Sequence, residues 1–355
     1  MSGALYAAPG TIPQFSVIEL TRSLNEVAPV PGLIGSLNLF AAQPQSTTIA
    51  TIERRRDRLA LVPEQPRGAP ANRNVMGERY LLQMKVPHFP LGDTIMADSI
   101  QDVRAFGQSS GLEGWGHAVN RRLEVMGHHL DATLEHLRLG AVKGLIITVT
   151  DRETGAPLRS IDLFAHFGVV PQETTDLPMR GPGAQSMDAA WNGRIMAASR
   201  LVGRTIAAEI GGASPGIAAV CGSLFFDMLL ASAELRQTYL ATAQAPTLRE
   251  SRLFTPVSYA GIDFFNAGME GVGGMAFVAP DEAYFVPLGV PDLFVEAYAP
   301  ADYVESVNTV ALPRYAKQEM LDFGKGIEIE TQTNVLPLCT KPRALLTGRL
   351  TDATP

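Results

Sequence analysis

Residues 46–90 read STTIATIERRRDRLALVPEQPRGAPANRNVMGERYLLQMKVPHFP, and this stretch decides the fold. It opens with β-branched Thr and Ile, then a charged run in strand-like alternation. On a strand, Arg54, Arg56 and Arg58 project to one face and Glu53, Arg55 and Asp57 to the other. Residues 65–77 (QPRGAPANRNVMG) are turn-formers without periodicity, and 78–90 read as a second strand. Together 46–92 form a long hairpin with eight Lys and Arg against four Asp and Glu, a net of +4. A hairpin with so little apolar content cannot stand alone in water and needs a partner surface.

Working outward, residues 1–45 hold five prolines and only short apolar runs (FSVIEL, GLIGSLNLF). They read as an extended arm with one helical piece near 16–26, again unable to build a core alone. On the other side, 112–140 carries Leu123, Met126, Leu130, Leu134 and Leu137 at spacings of three and four, a long amphipathic helix with Gly140 as its expected stop. A strand pair follows (GLIITVTD, LRSIDLFAHFGV), then a helix over 186–210 with Ser186 as N-cap. After the boundary GGASPG come a strand and helix, then short strands over 253–310, then strand, turn and strand to the end. Residues 216–330 carry fifteen acidic and six basic residues, a net of −9.

Composition bounds the function classes. At roughly 100–200 residues per domain, 355 residues make two or three compact units. An apolar share of 46% is enough for a sizeable core, and a charged share of only 18% argues against long disordered stretches. A net charge of −7 disfavours a generic nucleic-acid binder. No apolar run is long enough for a membrane span, and MSGALYAAPG has no signal-peptide pattern, so maturation in a cytoplasm is expected. Cys221 and Cys339 sit in apolar runs and read as buried free thiols.

Chemistry-bearing motifs are weak. His128, His129, Asp131, Glu135 and His136 cluster on the long helix, but the pattern is not HExxH and a solvated or partner-facing surface is the better reading. GMEGVGGMAF (268–277) lacks a dinucleotide fingerprint, and no nucleophile elbow or P-loop occurs. No catalytic, cofactor-binding or metal-binding residue is therefore assigned. The arginine run reads either as a solvated strand or as an intersubunit contact. A nucleic-acid patch ranks third, since no aromatic residue is interleaved.

The order of arm, basic hairpin, long helix, acidic α/β region and terminal strands resembles the Hong-Kong-97-type capsid fold. Within that fold the chain looks most like the lambdoid phage major capsid protein E family. Two stretches carry the likeness: ALPRYAKQEMLDFGKGIEIETQTNVLPLCTKPRALLTGRL (311–350) and FFNAGMEGVGGMAFVAPDEAYFVPLGVPDLFVEAYAPADYVESVN (264–308). The resemblance implies an α+β fold with an N-terminal arm (1–45), an extended loop (46–92) and a peripheral domain (93–215) with a spine helix at 112–140. An axial domain (216–325) and strands returning to the peripheral domain (326–355) complete it. It implies a non-enzymatic subunit that self-assembles as hexamers and pentamers into an icosahedral head. That head would enclose double-stranded DNA without sequence-specific binding, with separate scaffolding, portal and decoration proteins. The setting would be a virion assembled in the host cytoplasm, with no cofactor and no membrane. An encapsulin-like compartment and a cytosolic α/β hydrolase are the alternatives.

In that fold the extended loop lies over a neighbour's peripheral domain. Arg54, Arg56 and Arg58 would then face Glu124, Asp131 and Glu135, two rows of about 13 and about 16 Å. The loop's only lysine is Lys85, away from the tip, so the covalent cross-links of some such shells are not expected.

Overall fold

The computed structural model describes residues 16–26, 32–55, 79–101, 114–150, 157–180, 193–212, 216–240, 256–267 and 278–352. The first elements are α1 (Val17–Glu26), α2 (Leu33–Ser36), β1 (Phe40–Pro44), β2 (Ile49–Arg55), β3 (Arg79–Lys85), β4 (Phe89–Met96) and α3 (Ala97–Ile100). Next come α4 (Trp115–Lys143), β5 (Leu145–Thr150), β6 (Pro157–Asp162), α5 (Leu163–His166), β7 (Thr175–Arg180) and α6 (Arg194–Ile210). Then follow β8 (Gly216–Cys221), α7 (Ser223–Ala231), α8 (Ala233–Leu240), β9 (Val257–Tyr259), β10 (Ile262–Asn266), β11 (Glu282–Leu288) and β12 (Phe294–Tyr298). The chain closes with β13 (Tyr315–Met320), β14 (Gly326–Thr333), β15 (Val335–Cys339) and β16 (Leu346–Asp352). The hairpin tip at 65–77, Ser186 and the glycine-rich 268–277 lie outside the described residues.

The long helix α4 organises one half of the molecule. Its apolar stripe splits between two cores. Val119, Leu123 and Met126 bury with Leu20 and Leu24 of α1 and with Ile95, Ile327 and Ile329 of the sheet β13–β14–β4. Leu137, Ala141 and Val142 bury against the sheet β1–β12–β15, where Val335, Leu336 and Leu338 are fully shielded. The helix does not stop at Gly140. It runs to Lys143 and ends at Gly144, whose left-handed φ of 81° glycine adopts without strain. Gly140 serves packing instead: a Cβ there would lie 2.8 Å from Ile146 Cα and 3.0 Å from the Leu145 carbonyl, so its absence lets β5 fold back onto the helix.

The other half is a six-stranded sheet in the order β7–β16–β11–β8–β10–β9. Val202 and Ile206 of α6 and Phe225 and Leu229 of α7 pack on it, against Leu177, Phe264, Phe285 and Leu350. Here the described helix α6 begins at Arg194. Glu234 of α8 caps it, accepting from the backbone N–H of Gly193 (3.1 Å), Ile195 (3.2 Å) and Met196 (2.9 Å). The terminal segment expected as one return to the peripheral domain divides over three sheets. Strand β14 pairs with β4 and β13, β15 with β12, and β16 with β11 and β7. Leu346 and Leu350, four apart on one face of β16, bury in the core of the six-stranded sheet, and that pulls β16 there.

Both cysteines are free and buried. Burial pushes both thiols up, that of Cys339 to about 12.

Candidate interaction surfaces

The hairpin β2–β3 is fixed at its base and open beyond it. Ala50, Met84 and Val86 bury in the main core. His166 Nε2 lies 3.2 Å from the Gln83 carbonyl, and His88 Nδ1 lies 2.7 Å from Asn334 Oδ1. Both contacts grip the returning strand where it leaves the body. On the opposite ladder face, Leu81 is 69% exposed, and Ile49 is also exposed. The register sets Arg54 opposite Tyr80 and Arg55 opposite Arg79. Arg56 and Arg58 lie outside the described residues.

The helix carboxylates do not form one row. Glu124 is exposed. Asp131 is buried in an ion pair with Arg314, which also donates to the Leu24 carbonyl (3.3 Å). Glu135 accepts from the backbone N–H of Ile34 (2.6 Å) and Gly35 (3.1 Å), the first turn of α2 in the arm. Burial raises the Glu135 carboxyl above its ordinary value, and those two hydrogen bonds offset this in part. Next to it, Arg138 Nε donates to Glu296 Oε1 (2.5 Å), and Tyr298 donates its hydroxyl to Glu296 Oε2 (2.7 Å). Two of the three helix acids are thus consumed within the subunit, tying α1, α2 and β12 to the spine. Sequence reasoning did not find Arg314, Arg138 or Glu296, because the contacts join positions 183 and 158 residues apart.

A cleft of about 1260 Å³ runs between the hairpin base, α4 and β5–β6, lined by Lys85, His88, His129, Arg159 and His166 among others. Among the described residues no group of three or more His, Cys, Asp or Glu is arranged to hold a metal ion. No helix among them is long and apolar enough to cross a membrane.

With this geometry in place, comparison with known proteins is decisive. The family model for phage major capsid protein E matches residues 16–350. The chain belongs to that family. It is similar to the major capsid protein of Pseudomonas phage KPP10, 26% identical across 94% of this chain and 97% of the relative. It is also similar to that of Salmonella phage Felix O1, 23% identical across 95% and 96%. The fold agrees with solved capsid structures. A prophage capsid protein from Escherichia coli CFT073 superposes with a TM-score of 0.56 at 14% identity, covering 95% of this chain and 99% of that one. The bacteriophage PhiM1 mature capsid subunit gives 0.52 at 13% identity, covering 89% and 86%. This capsid chain is therefore an α+β subunit of the Hong-Kong-97 type, a structural component of a phage shell that associates with copies of itself. Its place is the virion.

Proposed function

We propose that this chain self-assembles as hexamers and pentamers into a closed icosahedral head, its extended hairpin lying over the peripheral domain of the next subunit. The carrying observation is the β2–β3 ladder. It is anchored by Ala50, Met84 and Val86 at its base, while Leu81 stands 69% exposed further out. A two-stranded ladder with open edges and an uncovered apolar side chain is stabilised by a neighbour, and identical neighbours repeated about symmetry axes close a shell.

In this reading 1–45 is the arm, 46–92 the extended loop, 93–215 the peripheral domain, 216–325 the axial domain, and 326–355 the closing strands. The shell encloses double-stranded DNA without reading its sequence, consistent with a net charge of −7. Scaffolding, portal and decoration proteins are separate chains, assembly takes place in the host cytoplasm, and the subunit performs no catalysis. Of the helix row Glu124, Asp131 and Glu135, only Glu124 is open to Arg54, Arg56 and Arg58 of a neighbour. One exposed pair contributes about 0–1 kcal/mol.

Negative-stain imaging of the expressed full chain tests this reading. Closed particles of uniform diameter are expected. A small soluble oligomer at all protein concentrations would overturn it.

A further inference from the structure

The turn joining β13 to β14 carries an uncovered aromatic knob. Phe323 is 95% exposed and holds a left-handed φ of 62°, a conformation that side-chain-bearing residues avoid. Glu319 and Glu328 lie opposite each other just before the turn, Asp322 lies on it, and all three are exposed. The turn's own cation, Lys325, sits over the Phe323 ring at 5.8 Å, and Lys317 bonds Glu305 (3.2 Å). With Glu319, Asp322 and Glu328 set against Lys325, the knob is acidic.

The cleft at the hairpin base has the opposite character. Met84, Val86, Leu130 and Val149 give it an apolar lining. Of its lining residues Asp162 alone is acidic, and that carboxylate already accepts from the backbone N–H of Phe164 (2.8 Å) and Ala165 (3.1 Å). His88 faces Asp302 (3.7 Å). Lys85 of β3 and Arg159 of β6 have no ion-pair partner among the described residues. A volume of about 1260 Å³ admits the tip of a turn. Burying one aromatic ring removes about 150–250 Å² from water.

Knob and cleft cannot meet within one chain. Strand β4 starts at Phe89, which lines the cleft, and ends at Met96, opposite Gly326 beside the turn. At about 3.3 Å per residue its length holds the two roughly 23 Å apart.

We propose that the Phe323 turn of one subunit inserts into the cleft at the hairpin base of another, its ring on the apolar lining and Glu319 and Asp322 against Lys85 and Arg159. The assignment rests on the shell reading above and names a contact that reading left open. Knob and cleft are different parts of one chain, so the contact is head-to-tail, the kind that closes rings.

Particle yield by sedimentation and thermal melting of the unassembled subunit, both in the full chain, test it. Phe323→Gly should lower particle yield roughly tenfold or more without lowering the subunit's melting temperature, because glycine adopts this φ without strain. Misfolding would not give that combination. Lys85→Glu with Arg159→Glu, and Glu319→Lys with Asp322→Lys, should each lower yield by a similar factor, and the four changes together should restore it. Normal yield from Phe323→Gly would overturn the insertion while leaving the shell reading intact. So would a quadruple variant as defective as its parents. A wild-type chain that never forms particles would overturn both.

Discussion

Glu135 of the spine helix accepts hydrogen bonds from the backbone N–H groups of Ile34 (2.6 Å) and Gly35 (3.1 Å), so the α2 turn of the arm is clasped to the body by one half-buried carboxyl. Burial raises this carboxyl above its ordinary value of 4.5. A raised folded-state value means a stability contribution fully present below about 4.5 and lost as pH rises through the folded value. Glu135→Gln, which carries no proton equilibrium, should therefore gain melting temperature relative to wild type as pH rises through that window, with the difference flat above it. A pH-independent difference between the two proteins would contradict this.

Asp131 and Arg314 form a buried pair that joins α4 to the segment leading into β13. Removing one partner strands a buried charge. Asp131→Ala should cost about 3–5 kcal/mol in subunit stability by denaturant unfolding, and the double change Asp131→Leu with Arg314→Met markedly less. A double variant costing the sum of its single changes would show that the pair is not coupled.

Gly140 sits inside a helix, where alanine is intrinsically better by about 1 kcal/mol. The backbone of Ile146 lies 2.8 Å from where its Cβ would be, and backbone cannot swing aside as a side-chain tip can. The clash should win. Gly140→Ala is expected to destabilise by about 1–3 kcal/mol, read as a lower melting temperature. An unchanged or higher value would mean that β5 shifts freely.

Lys85 is the only lysine in 46–92, and it stands at the last residue of β3, next to the hairpin base. Particles boiled in detergent and reductant should run as single chains on a denaturing gel. A ladder of covalent oligomers would contradict this expectation.

The sequence revealed what depends on local periodicity. Leu123, Met126, Leu130, Leu134 and Leu137 give the spine helix, and the turn-rich 65–77 between two strand-like runs gives the hairpin. Contacts distant along the chain were not legible. Glu234 caps a helix that begins forty residues earlier, a contact that no local pattern announces. Arg314 claims Asp131 from 183 residues away, which removes a carboxylate that helical spacing alone had placed in a surface row.

Reversal of the arginine run should act on assembly rather than folding. Changing Arg54, Arg56 and Arg58 together to Glu is expected to reduce particle yield sharply without lowering the subunit's melting temperature, and any single Arg→Ala change to be nearly silent. Normal yield from the triple variant would leave a solvated arginine face as the better description.

The central claim is that the hairpin beyond its buried base joins subunits and is not part of any one subunit's core. Sedimentation velocity of the full chain beside a variant lacking 65–77, with melting curves of both unassembled subunits, tests it most directly. The account predicts megadalton particles from the full chain, and a variant that melts like wild type but sediments as free subunits or unstable shells. A variant that assembles normally, or one whose subunit is unfolded, would contradict it.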